Sequence, residues 1–444
     1  MNAFNPALRR FRFGRHMALA IALASGTAVV GTLGFADVAH AQRNRDKAPA
    51  KSNYSKEFAA AYQALDAQVT AGANLATIKP DLDALVAMAS TPDEKMASGQ
   101  MTYNAAMKAQ DNALQLQGLE LMLDSGKVPA ENLGQFNYIG FQLAYAQKQT
   151  ERARGFLQRA IDNNFTADQI TPAVMQYQMA QILMSEQKFD EGFDNLKRAI
   201  AARKAEAGSV EQSWFGLGIK TGIDNELAPQ TFDLLRIWLE DDARKIVWRD
   251  SINIVRNLGL LDDRGNEEAL LDLLRLQRET GTLERGQDKL AYVEIARAAR
   301  YPKEVKEVLD QGFANGTVNR GDTWANEQLT LANRTLASDR TELPATEAAA
   351  NRPGATLAQV LNAGRTFLSY GEYAKAAGFL QKALDMPGAP RTEVLQRLGM
   401  AQLGMGDHAA AIATFEQITD NRAPVAMLWA AYAKQQQNGM QITG

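Results

Sequence analysis

Three histidines, His16, His40 and His408, are all that this sequence supplies for proton transfer near neutral pH, and cysteine is absent. A Ser-His-Asp or Cys-His site therefore has one of these imidazoles to use, and a zinc site of two or three His or Cys ligands lacks its donors. The most acidic short stretch is Asp262-Asp263-Arg264-Gly265-Asn266-Glu267-Glu268. With Gly265 as the loop glycine of a calcium site, the alternate ligand slots hold Leu260, Asp262 and Arg264. Only one of the three can bind, so a turn leading to a helix capped by Asn266 is the better reading. Arg236, Arg244, Lys245, Arg249 and Arg256 interleave with Trp238 and Trp248 as a polyanion patch would, but Glu240, Asp241, Asp242 and Asp250 lie among them. That pattern fits a salt-bridged surface beside two core tryptophans. Gly216, Gly218 and Gly222 follow no strand and make no phosphate loop, no G-x-S-x-G elbow occurs, and nothing selects two carboxylates as an acid and a base.

The segment that begins the sequence bears on this count. Arg9, Arg10, Arg12 and Arg15 precede an apolar run, Met17 to Phe35, and Ala39-His40-Ala41 supplies small residues for a signal peptidase. Residues 1–41 are expected to be an export leader cleaved after Ala41, which places the mature chain in the periplasm; the other reading is a retained anchor. Cleavage would leave His408 as the one histidine. The 48 basic and 51 acidic residues become 44 and 50 once four arginines and Asp37 are removed, a net charge of −6. This balance argues against nucleic acid and against an anionic membrane surface as partners. Without cysteine, an exported chain must be stabilised by burial alone.

Residues 42–53 are polar and read as a flexible lead-in. From Tyr54 onward the apolar positions recur at helical spacing, with no convincing strand alternation, so the class is all-α. Thr91-Pro92-Asp93-Glu94 carries a cap, a first-position proline and a returning glutamate. Thr166-x2-Gln169 reads as a second such start. The clearest pattern lies near the C-terminal end. Gly364, Gly371, Ala376, Leu380 and Ala383 are followed 35 residues later by Gly399, Gly406, Ala411, Phe415 and Ile418. Two apolar helices joined at a small turn are thus written twice, with small residues where helices must approach closely. Upstream the pattern drifts. Tyr138, Phe141 and Tyr145 precede Ala153, Leu157 and Ala160; Ala180 and Leu183 precede Phe189, Gly192, Leu196 and Ala199. Trp214-x2-Leu217-Gly218 opens a further unit in which Gln230 stands where a small residue belongs. Residues 54–336 are expected to form one helical array, 337–356 a linker, and 357–440 a repeat pair with a capping helix that contains Met427, Trp429 and Tyr432.

On these residues, above all Ala376-x3-Leu380, Ala411-x3-Phe415 and Gly371-Glu372-Tyr373, the chain resembles the tetratricopeptide repeat (TPR) family, strongly over 357–424 and progressively less upstream. The resemblance implies a right-handed α-solenoid whose first helices line a concave groove holding a peptide or a partner's helix. By the same analogy the groove residues are Tyr177, Gln181, Leu361, Arg365, Gln396 and Met400. The family's lysine and asparagine carboxylate clamp has no counterpart, since Leu361 and Arg365 stand in those slots. The expected function is that of a non-catalytic scaffold for other envelope proteins, needing no cofactor or metal and having no membrane span in the mature chain; self-association through the C-terminal helix is a further reading. The alternative is an all-α carbohydrate-active or glycan-binding protein, which would need placed carboxylates in an aromatic cleft.

Overall fold

The computed structural model describes residues 53–259 and 267–444. The leader, the lead-in to Ser52 and the 260–266 segment with Asn266 lie outside the described residues. Among the described residues are twenty α-helices, and extended pairing is limited to two isolated bridges. The chain is an all-α solenoid of helix pairs. Its first five pairs are α1 (Lys56–Thr70) with α2 (Leu75–Met88), α3 (Pro92–Ala109) with α4 (Asn112–Asp124), α5 (Ala130–Ala146) with α6 (Thr150–Asp162), α7 (Pro172–Ser185) with α8 (Phe189–Ala207), and α9 (Gln212–Asp224) with α10 (Ala228–Leu239). There follow α11 (Lys245–Gly259), α12 (Glu267–Glu279), α13 (Gly286–Ala296), α14 (Pro302–Ala314) and the long α15 (Thr323–Asn351). The C-terminal pairs are α16 (Leu357–Tyr370) with α17 (Tyr373–Leu384) and α18 (Arg391–Gly404) with α19 (His408–Phe415); α20 (Ala423–Gln437) closes the series.

Local chemistry sets the helix starts. Thr91 accepts from the Glu94 N–H while the Glu94 carboxylate accepts from Thr91 N at 3.0 Å. Glu94 also takes the Ser55 N–H at 2.7 Å, so a single buried carboxylate ties the start of α3 to the start of α1. Thr356 and Gln359 form the same reciprocal cap at the start of α16. The cap expected at Thr166 is displaced: α7 starts at Pro172 with Thr171 as its cap, because a tight turn bonds Ala167 to Ile170 first.

Small residues then let paired helices touch. A Cβ added at Gly364 would stand 2.9 Å from the Leu380 side chain, and one at Gly399 would stand 2.6 Å from the Phe415 ring. Ala376, Ala383 and Ala411 are fully buried beside them. At the turns Gly371 and Gly406 adopt φ of 76° and 79°, the left-handed region open to glycine. The unit that the sequence makes irregular pairs by another route. A Cβ at Gly222 would collide with Thr231 Oγ1, so Gly222 and Thr231 make the close approach, while Gln230 points outward to Asp190 at 2.8 Å.

Two expectations are corrected. Residues 337–356 are not a linker: α15 continues through Pro344 to Asn351. Its alanine-rich sequence favours helix. Neighbours also pin it, since Tyr370 donates to Asp339 at 2.6 Å and the Lys382 ammonium reaches the Ala350 carbonyl at 2.7 Å. Nor is α20 a solvent-faced cap. It packs against α10, α11, α12 and α19, burying Val425, Leu428, Trp429 and Gln435. The last helix therefore returns to the middle of the array, and one apolar cluster runs from Ala173 to Ala433.

Two glycines separate packing from propensity. Gly399→Ala should destabilise the protein by about 1–3 kcal/mol through overpacking against Phe415. Gly378→Ala, in the interior of α17 with nothing near its Cβ, should stabilise it by up to about 1 kcal/mol. Urea denaturation of both variants checks the opposite signs.

Candidate functional site

The return of α20 is fixed by charges that have left water. Arg275 on α12 gives two hydrogen bonds to Glu304 on α14, at 3.0 and 2.9 Å, and a third to Asp272 at 2.9 Å. All three side chains are buried. Tyr292 donates to the same Glu304 carboxylate. Asp272 in turn receives Arg422 at 3.3 Å, and its carbonyl accepts the Trp429 indole N–H at 3.0 Å. A second set lies beside the first: Arg397 of α18 pairs with Glu268 and Glu393, Arg300 with Glu268, and Arg365 with Glu393. Burial pushes the Glu268 carboxyl upward, but Arg397 and Arg300 outweigh it and hold the group down at about 2. Burial likewise disfavours the Glu304 anion, and Arg275 still keeps it below the usual carboxylate range. Further out, Trp248 bonds Gln435 at 3.0 Å, and backbone bonds join Lys245 to Thr443 and Thr443 to Ala243.

This closure decides where the expected groove residues end up. Leu361, Gln396 and Met400 were expected on an open concave surface; all three are buried, and residues of α12, α14 and α20 stand beside Met400. Gln396 is wholly enclosed, and neither amide atom has a hydrogen-bond partner. Arg365 is half-buried on Glu393. Tyr177 and Gln181, on α7, are different. They are half-buried, and the Tyr177 ring stacks on Trp214 of α9 at 4.5 Å and 11°. One pair earlier, Tyr138 of α5 reaches Gln178 of α7 at 3.1 Å. The first helices of three successive pairs thus share one aromatic and amide-bearing face.

What remains of the C-terminal groove is a cavity of about 180 Å³ between α12, α14, α16, α18 and α20. Arg278, Tyr373, His408, Tyr432 and Gln436 line it, together with Met400 and Trp429. The 35-residue offset also makes His408 the counterpart of Tyr373, and the repeat pattern did not reveal that both open on this space. The available signal was α20, which carries more aromatic surface than a solvent-facing cap needs. The basic stretch of α10 and α11 is neutralised within the chain: Arg236 pairs with Glu240, Arg244 with Asp242, and Arg256 with Asp288, while Trp238 and Trp248 are buried. Among the described residues no helix is long and apolar enough to cross a membrane.

No protein-family model and no curated protein matches the chain. Among solved structures, the crystal structure of the P58(IPK) TPR domain is similar over 78% of this chain and 99% of that one, at 13% identity and a TM-score of 0.21. A likeness that loose says nothing about ligand or partner, and the solenoid assignment stands on the helix pairs themselves.

Acid tests the second charge set. Glu268 has a native value below its ordinary 4.5, so its contribution to stability is complete above that value and is lost as pH falls towards 2. Between about pH 5 and pH 2.5 the melting temperature of the wild type should fall more steeply than that of Glu268→Gln, which has no carboxylate to protonate. Parallel slopes by circular dichroism would refute this role.

Proposed function

We propose that the protein is a non-catalytic interaction module of the cell envelope that holds a peptide or a partner's helix on the face shared by α5, α7 and α9, around the half-exposed Tyr177 and Gln181. The observation that carries this reading is the contrast between the two halves. In the C-terminal pairs the groove positions are filled from within the chain, whereas Tyr177 and Gln181 stay accessible beside the stacked Trp214 ring. Aromatic rings offer contact area at low entropic cost, and flanking amides can meet a peptide backbone's donors and acceptors. A helical-repeat surface of this kind suits protein partners. The basic, then apolar, then small-residue order of 1–41 supports export. On this reading the mature chain begins at Gln42, which N-terminal sequencing of the periplasmic protein checks.

Affinity capture from periplasmic extract distinguishes the two faces. A protein retained by the wild type and by Met400→Ala but lost with Tyr177→Ala/Gln181→Ala, at equal helicity, places binding on the α5, α7 and α9 face. Equal capture by all three variants, or loss with Met400→Ala alone, overturns that assignment.

A further inference from the structure

The cavity beneath α20 has polar groups that the fold leaves unused. Arg278 Nη1 makes no hydrogen bond and is held only by an ion pair to Glu307 at 3.6 Å, while its Nη2 bonds Glu279 at 3.3 Å. The side chains of Tyr373, His408, Tyr432 and Gln436 likewise make no hydrogen bond among the described residues. Arg278 therefore keeps a donor that is only loosely satisfied, and the half-exposed Tyr373, His408, Tyr432 and Gln436 are free to exchange water for ligand oxygens. A net anion is not called for, because Arg275 and Arg278 in the lining are offset by Glu279 and Glu304. Flat walls accompany the polar groups. The Tyr373 ring lies against the Gly404 backbone so closely that a Cβ there would stand 2.6 Å from ring atoms. The Tyr432 ring is held edge-on to Trp429 at 6.3 Å and to Trp248 at 5.9 Å. The pocket is partly open to solvent, and its 180 Å³ lies below the ~300 Å³ at which drug-sized pockets begin. That is room for one ring.

We propose that this cavity binds a single neutral sugar residue, its C–H face on the tyrosine rings and its hydroxyl or amide oxygens towards Arg278, His408 and Gln436. Mixed donors and acceptors on planar side chains match a hydroxylated ring, where a lone cationic group would select an acid. The inference is independent of the partner-binding face on α5, α7 and α9.

The test uses the whole chain, with glucose, galactose, N-acetylglucosamine and N-acetylgalactosamine as neutral probes and glucuronate and acetate as acidic ones. Each is added at 10 mM and followed by thermal unfolding and by saturation-transfer NMR. At least one neutral sugar should raise the melting temperature by about 2–4 °C, as occupancy of the native state requires. His408→Ala and Gln436→Ala remove side chains without protein hydrogen bonds, so both variants should fold; each should reduce the shift at least threefold. Any general stabilisation by sugars as cosolutes would survive in these variants. Gly404→Ala, whose Cβ displaces the Tyr373 ring from the position it holds in the wall, should weaken binding, while Tyr177→Ala should leave it unchanged. The proposal is overturned if no neutral sugar shifts the wild type more than the variants, or if the acids bind more tightly than every neutral probe.

Discussion

Arg275 is the constraint on which the arrangement of the C-terminal half depends. Its guanidinium leaves water completely and is matched donor by donor, two bonds to Glu304 and one to Asp272. Asp272 is occupied in turn by Arg422 and, through its carbonyl, by Trp429. Such a cluster tolerates no half-measures. Removing one partner strands a buried charge at about 3–5 kcal/mol, so α12, α14 and α20 must be docked together or not at all. The node converts an open series of helix pairs into one that closes on itself. The backbone bridge from Lys245 to Thr443 and the Trp248 to Gln435 bond lie along the same seam.

Closure divides the molecule by chemistry. In the C-terminal pairs the concave positions become core: Leu361 and Met400 contribute apolar area, and Arg397 anchors Glu268 from across the ring. In the N-terminal pairs Tyr177 and Gln181 on α7 keep partial access to solvent. The same structural slot is therefore a core position in one half and a surface position in the other. The difference originates in the extra chain from α11 to α15, which brings its own acidic residues to meet the arginines of the later repeats. Self-association by insertion of α20 into a second copy would first have to break the Arg275 node, since the apolar face of α20 is already covered.

Much of the fold was legible because its signals are local. The 35-residue offset reports the Gly399 to Phe415 and Gly364 to Leu380 contacts, and Thr91 with Glu94 announces a cap that the structure forms. The expectations that failed depended on partners distant in sequence. Residues 337–356 looked like a linker because proline and small residues dominate them; their helix is held by Tyr370, Lys375 and Lys382 from the following pair. Gln230 looked like a break because the close contact had moved one residue to Thr231. The groove residues were inferred from repeat position alone, and repeat position carries no information about a helix arriving from 423–437. Glu268 and Arg397, 129 positions apart, share no periodicity that would mark them as a pair.

That long-range pairing is better understood as a device for register than as a source of net stability. Burying matched charges roughly cancels their attraction against the cost of dehydration, and apolar residues of equal volume often stabilise as well or better. What apolar residues cannot do is discriminate. A smooth aliphatic contact between α12, α14 and α20 would allow each helix to slide by a turn along its neighbours, whereas Arg275 meets Glu304, and Asp272 meets Arg422 and Trp429, in one alignment. Held there, α20 presents Trp429 and Tyr432 edge-on to each other and leaves a gap against α18 that the side chains do not fill. At its edge Gly404, lacking a Cβ, lets the Tyr373 ring lie close against the backbone of α18.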